Sequence, residues 1–189
     1  MKTTLKHIAT IQTGIYAQTV SSGSVVYLQA KHFNENGNFY GKVIPDLPLN
    51  NQTEKHLLNE GDIIFAAKGS KNFAAKYEGK NGICVASSTF LVIRLLEKFK
   101  SQILPEYLVW YINHPKVQEW VKAKARGSSI VSISKTDLQD MEVHIPDAVK
   151  QKQIVAIDYL TSRERDLIRQ IQLLKEKNIQ HRLFTAINK

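Results

Sequence analysis

The segment DAVKQKQIVAIDYLTSRERDLIRQIQLLKEKNIQHRLFTAIN, residues 147–188, follows Pro146 and contains neither proline nor glycine. A long unbroken helix requires that absence, because proline clashes with the preceding helical turn and glycine costs about 1 kcal/mol relative to alanine. At about 1.5 Å of rise per residue, such a segment makes a rod of roughly 60 Å. Ile154, Ile157, Leu160, Leu167, Ile171 and Leu174 recur at helical spacings, which sets them along one narrow apolar stripe. Ile168, Ile179, Leu183, Phe184 and Ile187 widen or shift it. The heptad register is imperfect. Extending the series through Leu160, Leu167 and Leu174 reaches His181, and the series through Ile157 and Ile171 puts Glu164 and Asn178 in the seam. This predicts a two-helix contact with a break in register rather than a long regular coiled coil. The helix could also pack on its own domain, but so narrow a stripe on so long a rod favours a second helix. Ile157, Leu160, Leu167, Ile171 and Leu174 are its contact residues.

A chain of 189 residues with 43% hydrophobic residues suffices for one ordinary domain and an appendage. The formal charge is +9, spread over both parts. A basic surface attracts polyanions, nucleic acid first and anionic membrane second. The single cysteine, Cys84, excludes an internal disulfide. The amino-terminal stretch is interrupted by Lys6, His7, Thr10 and Gln12 and lacks the apolar core of a signal peptide. The longest apolar runs, such as Phe90 to Leu96, are too short to span a bilayer. A cytoplasmic protein without membrane contact is expected.

Along the chain, Thr3 or Thr4 caps a short turn carrying Leu5, Ile8 and Ile11 and ending at Gly14. Val25 to Leu28 reads as a strand, Asn34 to Asn38 as a turn, and Phe39 to Ile44 as the returning hairpin partner. Asn59 to Asp62 turns into a short apolar strand, Ile63 to Ala67, followed by Lys68-Gly69-Ser70-Lys71-Asn72. Basic and hydroxyl side chains beside a glycine suit close approach to phosphate oxygens, although a solvated loop has the same composition. Ile83 to Ala86 and Phe90 to Leu95 are further strands. Pro105 and Pro115 open two helices, the second ending in Lys122, Lys124 and Arg126, where cations complement the helix dipole. Ser134 caps a turn, and Met141 to Ile145 is a last strand. The expected fold is α+β: a mixed globular domain over residues 1–146, then a long helix over 147–189.

These motifs, in this order, resemble one half of a type I restriction-modification DNA specificity subunit. The residues that carry the likeness are Leu5-Lys6-His7-Ile8-Ala9-Thr10-Ile11-Gln12-Thr13-Gly14, Leu58-Asn59-Glu60-Gly61-Asp62-Ile63-Ile64-Phe65-Ala66 and Phe90-Leu91-Val92-Ile93-Arg94. Pro105-Glu106-Tyr107-Leu108, Gly127-Ser128-Ser129, Ile145-Pro146 and Gln151-Lys152-Gln153-Ile154 complete it. The resemblance implies a target-recognition domain that reads half of a split DNA sequence, followed by a spacer helix. Complete members carry the unit twice, with the two helices antiparallel. They dock onto methyltransferase (modification) subunits, which bind S-adenosylmethionine and methylate adenine, and onto restriction subunits. Only one copy of the unit is present here. A homodimer through the helix would restore the second half and read a split palindrome; a fragment of a longer subunit is the other explanation, although Met1 and Lys189 fit a complete short reading frame.

By chemistry and position, the expected DNA-binding residues are Lys68, Ser70, Lys71, Asn72 and Lys76 on one loop, and Lys122, Lys124, Arg126, Ser128 and Ser129 on another. Lysines would hold phosphates, while Asn72 and Arg126 are suited to paired hydrogen bonds with base edges. Gln12, Thr13, Lys31 and His32 are lesser candidates. No cofactor and no metal site are expected, because the six histidines are scattered and there is no phosphate-binding glycine loop or nucleophile elbow. Methyl transfer would therefore reside in partners, and the chain itself is expected to be non-catalytic. Two alternatives exist. Asp46 with Glu78 and Lys80 has the residue types of a metal-dependent nuclease, but Glu78 and Lys80 lie in an apparent turn instead of on a strand. A stand-alone dimeric DNA-binding regulator is the other.

Overall fold

The computed structural model describes all residues except 35, 36, 41, 70, 71, 128–131, 188 and 189, together with the side chain of Asn81. In chain order the strands are β1 (Lys2–Thr4), β2 (Ala9–Thr13), β3 (Val26–Leu28), β4 (Ile63–Ala66), β5 (Ala74–Lys76), β6 (Cys84–Ala86), β7 (Phe90–Leu95) and β8 (Glu142–His144). The helices are α1 (Leu5–Ile8), α2 (Asn51–Glu54), α3 (Pro105–Asn113), α4 (Pro115–Lys124), α5 (Lys135–Gln139) and α6 (Ala148–Ile187), with short 3-10 turns between. Two compact units result, Met1–Gln151 and Lys152–Lys189.

The first unit is built on an antiparallel sheet of order β2-β7-β4-β5. Both faces of β4 are buried, which is why it reads as an unbroken apolar run without alternation. Ile63 and Phe65 join Leu91, Ile93 and Ile11 under the side covered by Leu108 and Ile112 of α3, Val121 of α4 and Leu138 of α5. Ile64 and Ala66 face the other way with Phe90 and Val92, packed against Val26, Leu28, Phe33 and Phe73. Burying a side chain such as Phe65 contributes about 1.5–3 kcal/mol, so this double-sided strand stabilises both layers that pack on it.

Asp62 and Arg94 close one end of the sheet. Arg94 Nε donates to Asp62 Oδ1 at 2.8 Å and Arg94 Nη2 to Asp62 Oδ2 at 2.6 Å, while Asn59 N donates to the same Oδ2 at 2.8 Å. Asp62 is buried, and this fork keeps its charge matched. Gly61, at φ +84°, supplies the turn that delivers it. At Gly14 a side chain is impossible, because an added Cβ would lie 2.1 Å from Ser87 O.

The expected elements largely appear, with three differences. Ile11 lies on β2, since the amino-terminal turn lasts only from Leu5 to Ile8. Among the described residues of 39–44, none pairs with β3. It pairs in parallel with β6, and Phe39 meets Phe33 in one isolated bridge, because Val26 and Leu28 gain more by lying beside buried Cys84 and Ala86. Third, β5 interrupts what reads as a basic loop, its short Ala74-Ala75 run being buried against both sides of the sheet.

The first turn of α6 is fixed by Gln151, which is fully buried. Its Oε1 accepts from Leu104 N at 2.9 Å, and its Nε2 donates to Gln102 O at 2.8 Å and Pro146 O at 2.9 Å. In the second unit, α6 leaves the stripe exposed from Ile157 to Leu174, with Ile157 (65%), Leu160 (64%) and Leu174 (65%) the most open, while Ile154 is half-buried.

Candidate nucleic-acid interface

After β4 the chain must turn before β5. Ala66 N donates to Phe73 O at 2.8 Å, and Asn72 Nδ2 donates to Ala66 O at 2.7 Å, so the Asn72 amide is spent on shaping this turn. Ala67 N and Lys68 N both donate to Thr89 O, at 2.9 and 3.3 Å. The loop that follows α4 arrives at the same place. Ile133 N donates to Ala67 O at 2.8 Å, and Lys68 pairs with Ser132 in an antiparallel bridge. Ser132 also pairs antiparallel with Arg126, donating to Arg126 O at 2.9 Å and accepting from Arg126 N at 3.0 Å.

Ser132 therefore stands between Lys68 and Arg126. At about 4.8 Å per strand step, the two outer Cα atoms lie roughly 10 Å apart. Residues directly opposite each other across an antiparallel pair project to one face, so Lys68, Ser132 and Arg126 form a row. Lys68 is exposed, as are Lys122 and Lys124 in the last turn of α4. The Arg126 side chain is 82% exposed, and its Nη2 lies 3.9 Å from Asp137 Oδ1, too long for a firm hydrogen bond. Lys124 Nζ sits 6.0 Å from the Trp120 ring centroid, at the outer limit of a cation–π contact.

The two expected basic loops are thus adjacent, although nearly sixty positions separate Lys68 from Arg126. Ser70, Lys71, Ser128 and Ser129 lie outside the described residues. Ser132 was not foreseen, and no local sequence signal distinguishes it, because its position in the row comes from pairing. The placement of Lys76 is corrected: it is on β5, and its ammonium donates to Glu106 Oε1 at 2.6 Å with Glu78 Oε1 at 3.7 Å. The Glu106 hydrogen bond raises the Lys76 pKa above its ordinary value.

Gln12 and Thr13 end β2, where the Gln12 amide is hydrogen-bonded to His56 Nδ1 at 2.8 Å. His32 Nδ1 accepts from Gln29 N at 3.1 Å, and its ring lies 6.5 Å from that of Phe39; burial lowers its pKa. The nuclease residues do not assemble on adjacent strands. Asp46 Oδ1 accepts from Tyr27 N at 2.8 Å, and Glu78 pairs with Lys80 at a 3-10 turn. Among the described residues no group of three metal-ligating side chains occurs, and no helix is long and apolar enough to cross a membrane.

The fold, a mixed α+β unit followed by one long helix, is that of type I restriction-modification S subunits. The S subunit from M. genitalium is 16% identical with a TM-score of 0.59, over 86% of this chain and 39% of that one. HsdS from Thermoanaerobacter tengcongensis is 17% identical with a TM-score of 0.62, over 89% of this chain and 39% of its own. A chain from a study of complex assembly and conformational transition in the type I R-M system is 15% identical with a TM-score of 0.67, over 96% and 43%. The present chain spans about two fifths of the length of each. No curated protein matches it in sequence. The model of the type I restriction modification DNA specificity domain matches residues 2–178. The chain belongs to that family of DNA specificity domains.

Proposed function

We propose that this chain recognises one half of a split DNA site for a type I restriction-modification system, with the Lys68, Ser132 and Arg126 row and the lysines of α4 lying on the duplex. The observation that carries the reading is the row itself, in which two basic segments distant in sequence are brought side by side by backbone pairing. Lys68, Lys122 and Lys124 bind phosphates as point charges, whereas the planar Arg126 guanidinium is suited to two hydrogen bonds with a guanine edge. Ser132, between the two cations, reaches either a phosphate or a base edge. Residues 1–146 are the target-recognition domain, and residues 147–189 are the spacer and dimerisation helix.

Two copies pair through Ile157, Leu160, Leu167, Ile171 and Leu174, and the two-fold pair reads identical half-sites in inverted orientation. The pair docks onto methyltransferase and restriction subunits, which supply the chemistry. The exposed stripe of α6 supports the pairing, because a soluble chain that leaves so many large apolar side chains in line gains by covering them.

The test is a salt titration of DNA affinity. Each phosphate contact contributes about 0.9 to the slope of log K against log salt, so Lys68→Ala with Lys122→Ala should reduce it by roughly 2 for contacts on one half-site. Arg126→Ala should instead relax sequence preference. Unchanged slope in the double variant together with unchanged preference in Arg126→Ala would remove this surface from the DNA.

A further inference from the structure

We infer that Tyr16 is a specificity-determining residue for the DNA half-site, packing its ring on the methyl group of a thymine in the major groove. This rests on the DNA reading proposed above, whose surface it extends past Lys68.

Strand β7 lies between β2 and β4, and the turn Ser87-Ser88-Thr89 leads into it from β6. From the β4 side, Ala67 N and Lys68 N donate to Thr89 O. From the β2 side, Gly14 N donates to Phe90 O at 3.0 Å and Ile15 N to Ala86 O at 2.9 Å, with Ile15 bridged to Ser87. Gly14 and Lys68 therefore flank one turn at the same end of the sheet, two strand spacings or roughly 10 Å apart. Two further residues add at most about 7 Å. The Tyr16 backbone is then within about 17 Å of Lys68, the rise of about five base pairs, so a single half-site reaches both.

What singles out Tyr16 is how it is held. Ile15 is buried with Val25, Tyr27, Leu47 and Val85. The Tyr27 hydroxyl donates to Ile15 O at 2.8 Å and accepts from Ala17 N at 3.3 Å, so one group ties the backbone on both sides of Tyr16. Tyr16 itself is 75% exposed. A tyrosine on a fixed backbone has only two side-chain torsions left to order, so it loses little entropy when it meets a ligand.

The duplex decides what that ring can meet. In stacked DNA the flat faces of the bases are covered by their neighbours, and only their edges are offered to the grooves. Those edges carry hydrogen-bonding groups and one apolar substituent, the thymine methyl in the major groove. An aromatic ring that approaches without unstacking the bases finds its apolar match there, while Lys68 beside it holds a phosphate.

The test compares thymidine with deoxyuridine, which lacks only that methyl. Duplexes that the full chain selects from a randomised library are remade with each half-site thymine replaced in turn. At one position the parent should lose roughly fourfold in affinity, the worth of burying one methyl-sized group. Tyr16→Ala should bind the thymine duplex about as weakly as the parent binds the deoxyuridine one, and should not distinguish the two. Tyr16→Phe should keep the distinction, because the ring makes the contact. Tyr16 is exposed, so neither substitution threatens folding, and the slope of log K against log salt should match the parent's because no phosphate contact is removed. Selected half-sites without thymine would overturn the inference. So would a Tyr16→Ala chain that still prefers thymine while Lys68→Ala with Lys122→Ala lowers the slope, an outcome that leaves the surface above on the DNA. Discrimination lost in Tyr16→Phe as fully as in Tyr16→Ala would move the contact to the hydroxyl and overturn ring packing. A slope unchanged in the lysine variant and a preference unchanged in Arg126→Ala would remove the DNA reading itself, and Tyr16 with it.

Discussion

Gln151 is the most instructive single residue to change, because one fully buried amide ties three backbone groups from separate places in the chain. Its bonds to Leu104 N, Gln102 O and Pro146 O are 2.8 to 2.9 Å long and connect the first turn of α6 to the residues that precede α3. Gln151→Met keeps the volume but pairs none of the three. Each lost hydrogen bond costs about 1 kcal/mol net, and a buried group left unpaired costs about 1–3 kcal/mol. Gln102 is exposed, so its carbonyl recovers water, and the loss comes mainly from Leu104 N and Pro146 O. The sum is about 3 kcal/mol. For an m-value of about 2 kcal/mol per molar urea, the unfolding midpoint should fall by roughly 1.5 M. Trp110 and Trp120, on α3 and α4, report that transition by fluorescence. A second variant sharpens the test. Gln151→Glu retains an acceptor for Leu104 N but turns a carboxylate oxygen toward two carbonyls, so its pKa must rise. A raised folded-state pKa means that stability is present below the unfolded value, near 4.3, and is lost as pH rises through the folded one. Gln151→Glu should therefore approach the parent at acid pH and fall behind at neutral pH. A loss under 1 kcal/mol for Gln151→Met, or a pH-independent Gln151→Glu, would refute the assignment of Gln151 as the anchor.

Three further outcomes follow from the same geometry. Asp62→Ala leaves Arg94 without its fork and Asn59 N without its acceptor; with Arg94 partly exposed, a loss of about 3 kcal/mol in urea unfolding is expected. Asn113→Ala removes the amide that both donates to Ala74 O and accepts from Ala74 N, each at 2.8 Å, and should cost about 2 kcal/mol by the same assay. At alkaline pH the globular unit should weaken. Burial pushes the Tyr77 and Tyr107 hydroxyls up to about 12 and the Cys84 thiol up to about 11, so the unfolded chain ionises first. The stability is complete below about pH 9 and is lost as pH rises toward 12; a urea midpoint that stays flat between pH 9 and 11 would contradict it.

Much of the fold is legible in the sequence because the deciding signals are local. Pro105 and Pro115 sit at the first positions of α3 and α4, as their missing N–H groups allow, and the absence of proline and glycine after Pro146 yields the forty residues of α6. What escapes is set by pairing. Nothing near Val26 announces that β3 runs parallel to β6, because the choice is made by which apolar neighbours the finished core offers. β5 is invisible for a related reason: Ala74-Ala75 has little strand propensity of its own, and it is held by β4 on one side and by the Asn113 amide on Ala74.

The candidate site divides along the same line. Residue chemistry picks out Lys68, Lys122, Lys124 and Arg126 from the sequence, since exposed cations beside glycine and at a helix end are recognisable without a fold. Composition alone also gathers Lys76 and Asn72 into the first loop, yet the structure spends one on Glu106 and Glu78 and the other on Ala66 O. Conversely, Ser132 acquires its place only because its two backbone edges are shared between Lys68 and Arg126. The proposed surface thus rests on main-chain pairing: the Ala67, Ser132 and Ile133 backbone contacts hold the two segments together whatever the side chains of Lys68 and Arg126 are, so Lys68→Ala and Arg126→Ala remove a charge without moving the frame.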